Sequence, residues 1–185
     1  MAATSLLRAR FAAAGASLVA AVAAAVAQAA PAAAAPRARG AQLPAVLRMS
    51  SQLWATIDVC NPPHQRNTVG VRGSMPGDGQ AHDAMFMRFR LQYVDPAARR
   101  WIDLPHADSG YVLVGSSRSA RQAGRSFVLF PPSGGAAFNL RGVVSFQWRR
   151  GGRVLGALSR ATVPGHQSLA GADPPNYSAA TCRIA

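Results

Sequence analysis

Apolar and polar side chains alternate most strictly between residues 85 and 94. The apolar positions of this segment are Met85, Met87, Phe89, Leu91 and Tyr93. Arg88 and Arg90 occupy positions of the opposite parity. A period of two predicts a β-strand that buries one face and exposes the other. The Asp95-Pro96 pair then predicts a turn, and residues 100–104 are expected to form the returning strand.

A second alternating segment runs from residue 140 to residue 149. Its apolar positions are Leu140, Val144, Phe146 and Trp148. Arg141 and Arg149 belong to the opposite face. This pattern predicts a second strand with one buried face.

A hairpin is predicted directly after this second strand, because Gly151-Gly152 follows it. A two-residue glycine loop permits the positive φ angles of a tight β-turn. We expect Arg150 to pair with Arg153. That register places Trp148 opposite Leu155, which joins two apolar side chains across the strands.

Shorter strands are predicted elsewhere between Gly- and Pro-rich turns, and no segment shows a convincing helical period. These strands are residues 53–60, 68–72, 111–114, 126–130 and 177–184. Many short strands separated by turn residues are typical of an all-β, antiparallel sandwich or barrel.

The hairpin sequence from Phe146 to Val154 resembles a late-strand hairpin of immunoglobulin-like and fibronectin-III-like β-sandwiches. With the strand spacing, the resemblance covers residues 47–185 and implies a single immunoglobulin-like β-sandwich domain. The chain is also similar to uncharacterised exported proteins of high-GC actinobacteria, and that similarity implies no particular activity. The two cysteines lie farther apart than the paired cysteines of immunoglobulin domains.

Residues 1–29 have the order of a secretory signal peptide. Arg8 and Arg10 precede an uncharged stretch at residues 11–26, and Ala27-Gln28-Ala29 supplies small residues for cleavage. The alternative is an uncleaved membrane anchor, but alanine is weakly apolar and Pro31 interrupts the stretch. We therefore expect a protein that is secreted or associated with the cell envelope, without a transmembrane span in the mature chain.

The predicted mature chain begins with a flexible lead-in. Residues 30–46 are mostly Ala, Pro, Arg and Gly, a composition typical of linkers. Residues 47–185 follow as one β-sandwich domain, and their length is sufficient for a hydrophobic core.

Cys60 and Cys182 are the only cysteines of the chain. An even number of cysteines in an exported protein favours a disulfide bond. Such a bond would hold the last strand beside the first strand or its following loop. Free thiols or a metal site are the alternatives; Cys60 and His64 have a chelating spacing, but the chain lacks a zinc-site signature.

All twenty basic residues are arginine, and all seven acidic residues are aspartate. A GC-rich coding sequence explains this composition without any selection for function. Loss of residues 1–29 leaves eighteen arginines against seven aspartates, a net charge of +11. A surface of this charge attracts polyanions, and salt weakens the attraction.

Arg88, Arg90, Arg141 and Arg149 are candidate anion-binding residues. If their two strands are neighbours, the four side chains form a row that could bind phosphate or carboxylate groups. The simpler interpretation is that exposed strand faces need polar residues. The partners we expect are an anionic cell-envelope polymer or another protein. Only Phe86 interleaves with the arginines, which argues against a specific nucleic-acid site.

Catalytic motifs are absent from the sequence, and all four histidines lie in predicted loops. His82 with Asp83, or His106 with Asp103 or Asp108, could form a general-base pair if a nucleophile lay nearby. An exported hydrolase with such a His/Asp loop site is therefore the alternative hypothesis. The favoured hypothesis is a non-enzymatic exported protein with a basic surface, for which we expect no cofactor and no metal.

Overall fold

The computed structural model describes residues 43–130, 135, 137–167 and 170–185. The predicted signal peptide and most of the predicted lead-in lie outside the described residues. The elements are α1 (Ala45–Arg48), β1 (Trp54–Cys60), β2 (Thr68–Met75), β3 (Ala84–Asp95), β4 (Arg100–Ser116), β5 (Arg121–Val128), β6 (Phe138–Arg150), β7 (Arg153–Ala161) and β8 (Thr181–Ile184). No helix in these ranges has the length and apolar character needed to cross a membrane.

The strands form two antiparallel sheets. Sheet A has the order β1-β2-β5, and sheet B has the order β4-β3-β6-β7. The short strand β8 pairs with the beginning of β6. The all-β antiparallel prediction is confirmed, and the two segments with predicted alternation are the central strands β3 and β6 of sheet B.

The two sheets pack on each other through the apolar faces that the alternation predicts. Met87, Phe89 and Phe146 of sheet B are each at most 1% exposed. Gly73 of sheet A marks a close approach of the two sheets, because a Cβ atom there would lie 2.9 Å from Val144 Cγ1 and 3.4 Å from Met87 Sδ. Burying each large apolar side chain stabilises the fold by about 1.5–3 kcal/mol.

The glycine hairpin between β6 and β7 forms as predicted, with Arg150 opposite Arg153 and positive φ at both glycines. The predicted cross-strand partner of Trp148 is wrong by one residue, since Trp148 lies opposite Gly156 and not opposite Leu155. A β-bulge beside Trp148 inserts one extra residue into β7.

A β-bulge in β1 determines which way Cys60 faces. Asp58 is the extra residue, so Ile57 pairs with Val71 and Cys60 pairs with Val69. Val69 is fully buried between the sheets. Directly opposed residues share a face, so the bulge turns Cys60 towards the interior.

The predicted disulfide is confirmed, with an S–S distance of 2.02 Å between Cys60 and Cys182. It joins β1 of sheet A to β8 of sheet B. The last strand was expected to lie beside the first. Only the residues just before β8 pair with β1. Ala179 exchanges backbone hydrogen bonds of 2.9 and 3.0 Å with Ile57, whereas β8 itself pairs with β6.

The segment before β8 lies along the edge of β1 and extends over Arg72 on the outer face of sheet A. Ser178 Oγ lies 2.7 Å from Thr56 Oγ1, and the Asp173 amide donates to the Asp58 carbonyl at 2.8 Å. Arg72 donates to the Ala170 carbonyl. We call the described residues 163–167 and 170–180 the covering segment.

Candidate functional site

The four predicted anion-binding arginines all lie on the outer face of sheet B. β3 and β6 are neighbours, and their register places Gln92 of β3 directly opposite Arg141. At the other end of the pair, Ala84 lies opposite Arg149. We call the outer side of β3, β4 and β6 that carries Arg88, Arg90, Arg141 and Arg149 the arginine face.

Two of these arginines form ion pairs with aspartates of β4. Arg88 Nε lies 2.8 Å from Asp108 Oδ1 and Arg88 Nη2 donates to Asp108 Oδ2, so the contact is bidentate. Arg90 Nη1 donates to Asp103 Oδ2 at 2.7 Å. The centre of the arginine face is therefore neutralised by the protein itself.

The Arg88–Asp108 pair changes the proton affinity of both groups. The Arg88 guanidinium lowers the pKa of the Asp108 carboxyl, against the opposing effect of burial. Asp108 in turn raises the pKa of Arg88. Both groups therefore keep their charges over a wider pH range than they would alone.

The other two arginines donate to glutamine amide oxygens. Arg141 Nε lies 2.8 Å from Gln92 Oε1, and Arg149 Nε lies 2.8 Å from Gln147 Oε1. Neither forms an ion pair with any aspartate in the described ranges. Partial burial lowers the pKa of Arg141, yet arginine stays charged at any physiological pH.

Aromatic rings support these same two guanidinium groups. Arg141 Cζ lies 4.5 Å from the centre of the Trp101 ring. Arg149 Cζ lies 4.1 Å from the centre of the Phe86 ring and 5.1 Å from that of Tyr111. Cation–π contacts of this kind hold a guanidinium in place without using its outward donors.

The sequence pattern does not indicate the contribution of β4. Residues 100–104 and 111–114 are predicted as separate strands, and Phe86 is the main aromatic residue predicted on this face. Trp101 and Tyr111 of β4 in fact lie beside the arginines. The Asp95-Pro96 turn could have indicated where Trp101 lies, because a hairpin that pairs Asp95 with Arg100 places Trp101 opposite Val94.

The histidines do not gather at one site. His64 Nε2 lies 2.8 Å from Asp173 Oδ2, and His82 Nε2 lies 3.5 Å from Asp83 Oδ1. Both imidazoles are more than half exposed. Within the described ranges, no histidine side chain hydrogen-bonds to a serine hydroxyl. The His/Asp hydrolase hypothesis gains no support from these contacts.

The remaining two histidines, His106 and His166, lie in a strand and against an aromatic ring, respectively. His106 lies inside β4, not in a loop, and has a φ of 62°. His166 stacks on Trp54 with ring centres 4.5 Å apart, and burial lowers its pKa. No cluster of three or more potential metal ligands occurs in the part of the chain that the structure describes.

Comparisons with known proteins give no family. No protein-family model matches the sequence, and no curated protein matches it. Among solved structures, the chain is similar to a Pseudomonas fluorescens alkylpurine DNA glycosylase, AlkC, bound to DNA containing an abasic site analog. That similarity has 13% sequence identity and a TM-score of 0.29, and it covers 60% of this chain and 29% of the glycosylase chain.

Proposed function

We propose that this chain is an exported, non-enzymatic β-sandwich protein that binds an anionic polymer of the cell envelope through the arginine face. The observation that carries the proposal is the state of Arg141 and Arg149. Both are charged, both are supported by aromatic rings, and both donate to glutamine rather than to a carboxylate. Their charge is therefore available to an external anion.

The strand order supports an immunoglobulin-like type for the sandwich. If β1 to β7 are lettered A, B, C, C′, E, F and G, the two sheets become A-B-E and C′-C-F-G. This is the arrangement of immunoglobulin-type sandwiches, in which C′ extends the G-F-C sheet. The disulfide departs from the usual link between strands B and F, since it joins β1 to β8.

The spacing of the two available arginines favours a polymer over a single small anion. Arg141 and Arg149 are separated by eight positions of β6, or about 27 Å along an extended strand. One phosphate or carboxylate group cannot reach both. A chain with repeated negative charges can contact both guanidinium groups while passing over the neutral centre.

The protein's net charge adds long-range attraction to these local contacts. Positive potential brings a polyanion to the surface, and the planar guanidinium then offers two parallel donors to each acidic group. Exposed contacts of this type contribute about 0.7 kcal/mol each. Loss of both contacts should therefore weaken binding about tenfold.

The test compares two double variants with the same change in net charge. Arg141→Ser with Arg149→Ser removes the available pair, and Arg66→Ser with Arg153→Ser removes two exposed arginines outside the arginine face. Affinity for polyphosphate of defined length is measured by titration calorimetry at several salt concentrations. We expect about tenfold weaker binding for the first variant and a much smaller loss for the second. Equal losses would show that only net charge matters.

A second pair of variants tests whether the aspartates limit binding. Asp103→Asn with Asp108→Asn removes the negative charges that neutralise Arg88 and Arg90. The whole row should then attract polyphosphate, and affinity should rise. An unchanged or lower affinity in a folded variant would contradict the proposed role of the arginine face.

A further inference from the structure

A cavity of about 650 Å³ opens between the two sheets, on the side where β4 and β5 are the edge strands. Its walls include Leu104, Phe127, Leu129, Phe138, Leu140 and Ile184. These side chains are apolar, and Leu140 and Ile184 are at most 1% exposed. Its volume and apolar walls fall within the range typical of small-molecule sites.

A long bulge in β4 creates this opening. Asp103 lies opposite Gln92, whereas Asp108 lies opposite Arg90, so the four residues between the two aspartates leave the ladder. Within this bulge, Pro105 cannot donate a backbone hydrogen bond, and His106 has a φ of 62°. Beside the cavity, this part of β4 is therefore not paired with β3.

One charged side chain interrupts the apolar wall. Arg125 of β5 lies opposite Val71, and Phe127 lies opposite Val69. Both valines are fully buried on the inner face of sheet A, so the register assigns Arg125 to the inner face as well. Arg125 lines the cavity, is exposed to solvent, and forms no ion pair with any residue the structure describes.

The other charged group at the cavity does not neutralise Arg125. Asp108 also lines the cavity, but its carboxylate is held by Arg88 on the outer side of sheet B. His106 is the remaining ionisable neighbour. The cavity thus combines apolar walls with one cation at its solvent-exposed side.

We propose that this cavity binds an anionic amphiphile, with the apolar chain between the sheets and the acidic head group on Arg125. Apolar walls favour a hydrocarbon chain, because its transfer from water contributes about 0.8 kcal/mol for each CH₂ group. A guanidinium binds carboxylate and phosphate with the same two-pronged geometry. Phe130, which is 89% exposed and lines the cavity, adds apolar surface at its edge.

Three probes with the same twelve-carbon chain test this proposal in the full mature chain. Dodecanoate, dodecyl phosphate and dodecan-1-ol are titrated below their micelle or solubility limits, and binding is measured by calorimetry. We expect at least one of the two anions to bind about tenfold or more tightly than the alcohol. The stronger of the two anions identifies carboxylate or phosphate as the head group. Binding of neither anion, or equal binding of the alcohol, would overturn the proposal.

Variants then locate the binding. Arg125→Gln should bring the affinity of the preferred anion to within about twofold of the alcohol, whereas the matched control Arg153→Gln should change neither. Ala107→Phe adds volume at a lining position that is 3% exposed and should abolish binding of all probes. If Ala107→Phe does not fold, Leu129→Trp narrows the cavity from the residue that directly follows β5. Unchanged binding in a folded cavity-filling variant would refute the assignment.

The cavity proposal is independent of the proposed function. Arg141→Ser with Arg149→Ser should weaken polyphosphate binding and leave dodecanoate and dodecyl phosphate binding unchanged. Arg125→Gln should have the opposite pattern. Loss of both activities in either variant would contradict the assignment of two separate sites.

Discussion

The outer faces of the two sheets both carry paired arginine and aspartate, yet the surroundings of the pairs differ. On sheet A, Arg72 Nε lies 2.8 Å from Asp58 Oδ2, and their side chains are 14% and 7% exposed. On sheet B, the Arg88 and Asp108 side chains are 37% and 35% exposed. The covering segment excludes water from the first pair, and no described segment does so for the second.

The difference shows how one pair of residue types can serve two purposes. A buried ion pair must stay complete, because either charge left alone would be desolvated without compensation. An exposed pair is screened by water and contributes little to stability. The outer face of sheet A around Arg72 and Asp58 is thus part of the folded interior, whereas the Arg88–Asp108 pair of the arginine face stays in contact with water.

The largest expected effect comes from breaking the covered pair. Asp58→Ala should lower the free energy of unfolding by about 3–5 kcal/mol, since it leaves the Arg72 charge in a covered site. The matched change on the open face, Asp108→Ala, should cost about 0–1 kcal/mol. Urea denaturation of both variants measures the two values. Similar losses would mean that the covering segment does not exclude water from sheet A.

The disulfide should have the next largest effect, because it fastens the end of the covering segment. Cys60→Ala with Cys182→Ala opens a loop of 122 positions and should lower stability by about 2–4 kcal/mol. Hydrogen exchange of the Ala179 amide, which donates to Ile57 at 3.0 Å, should accelerate.

Polyphosphate binding provides the control for the disulfide variant. At a temperature where the variant is still folded, its affinity should match that of the parent protein, since the arginine face lies on the other sheet. A large loss of affinity would show that the two outer faces are coupled.

The smallest expected effect concerns acid stability and distinguishes a buried carboxylate from an exposed one. Arg150 lowers the pKa of Asp83 below its ordinary value of 3.8, although burial acts in the opposite direction. The unfolded chain therefore takes up the proton first as pH falls. The stability from this contact is present above pH 3.8 and is lost as pH falls through the folded-state pKa.

Asp83→Asn should accordingly flatten the decline of melting temperature as the pH falls below 3.8. Asp108→Asn should flatten it less, because the Asp108 side chain is 35% exposed and that of Asp83 only 1%, so water screens the Asp108 charge better. Melting curves measured at half-unit pH intervals compare the two variants. A steeper decline in Asp83→Asn would contradict the assigned direction.

The sequence predicted the central part of sheet B well. Residues 84–92 of β3 alternate strictly, because one face packs against sheet A and the other is open to water. β6 alternates at both ends, but residues 142–146 are all buried. The same alternation placed all four candidate arginines correctly on one outer face. The disulfide was also predictable, since a chain with only two cysteines offers a single intramolecular pairing.

The edge strands β1 and β4 and the covering segment could not be predicted in the same way. The bulge in β4 interrupts the period of two, so the aspartates and aromatic rings that meet the arginines were not assigned to the face. The bulge at Asp58 reverses the side on which Cys60 lies. The covering segment has no periodic pattern, because it is held by individual hydrogen bonds such as that from the Asp173 amide to the Asp58 carbonyl.

The bridge between β1 and β8 also sets an order of events in folding. Cys60 precedes Cys182 by 122 positions, and the sequence contains no other thiol with which it could pair. The disulfide can therefore close only after nearly all of the domain has been synthesised. Until then Cys60 is a free thiol, which the thiol of a second copy of the chain could capture.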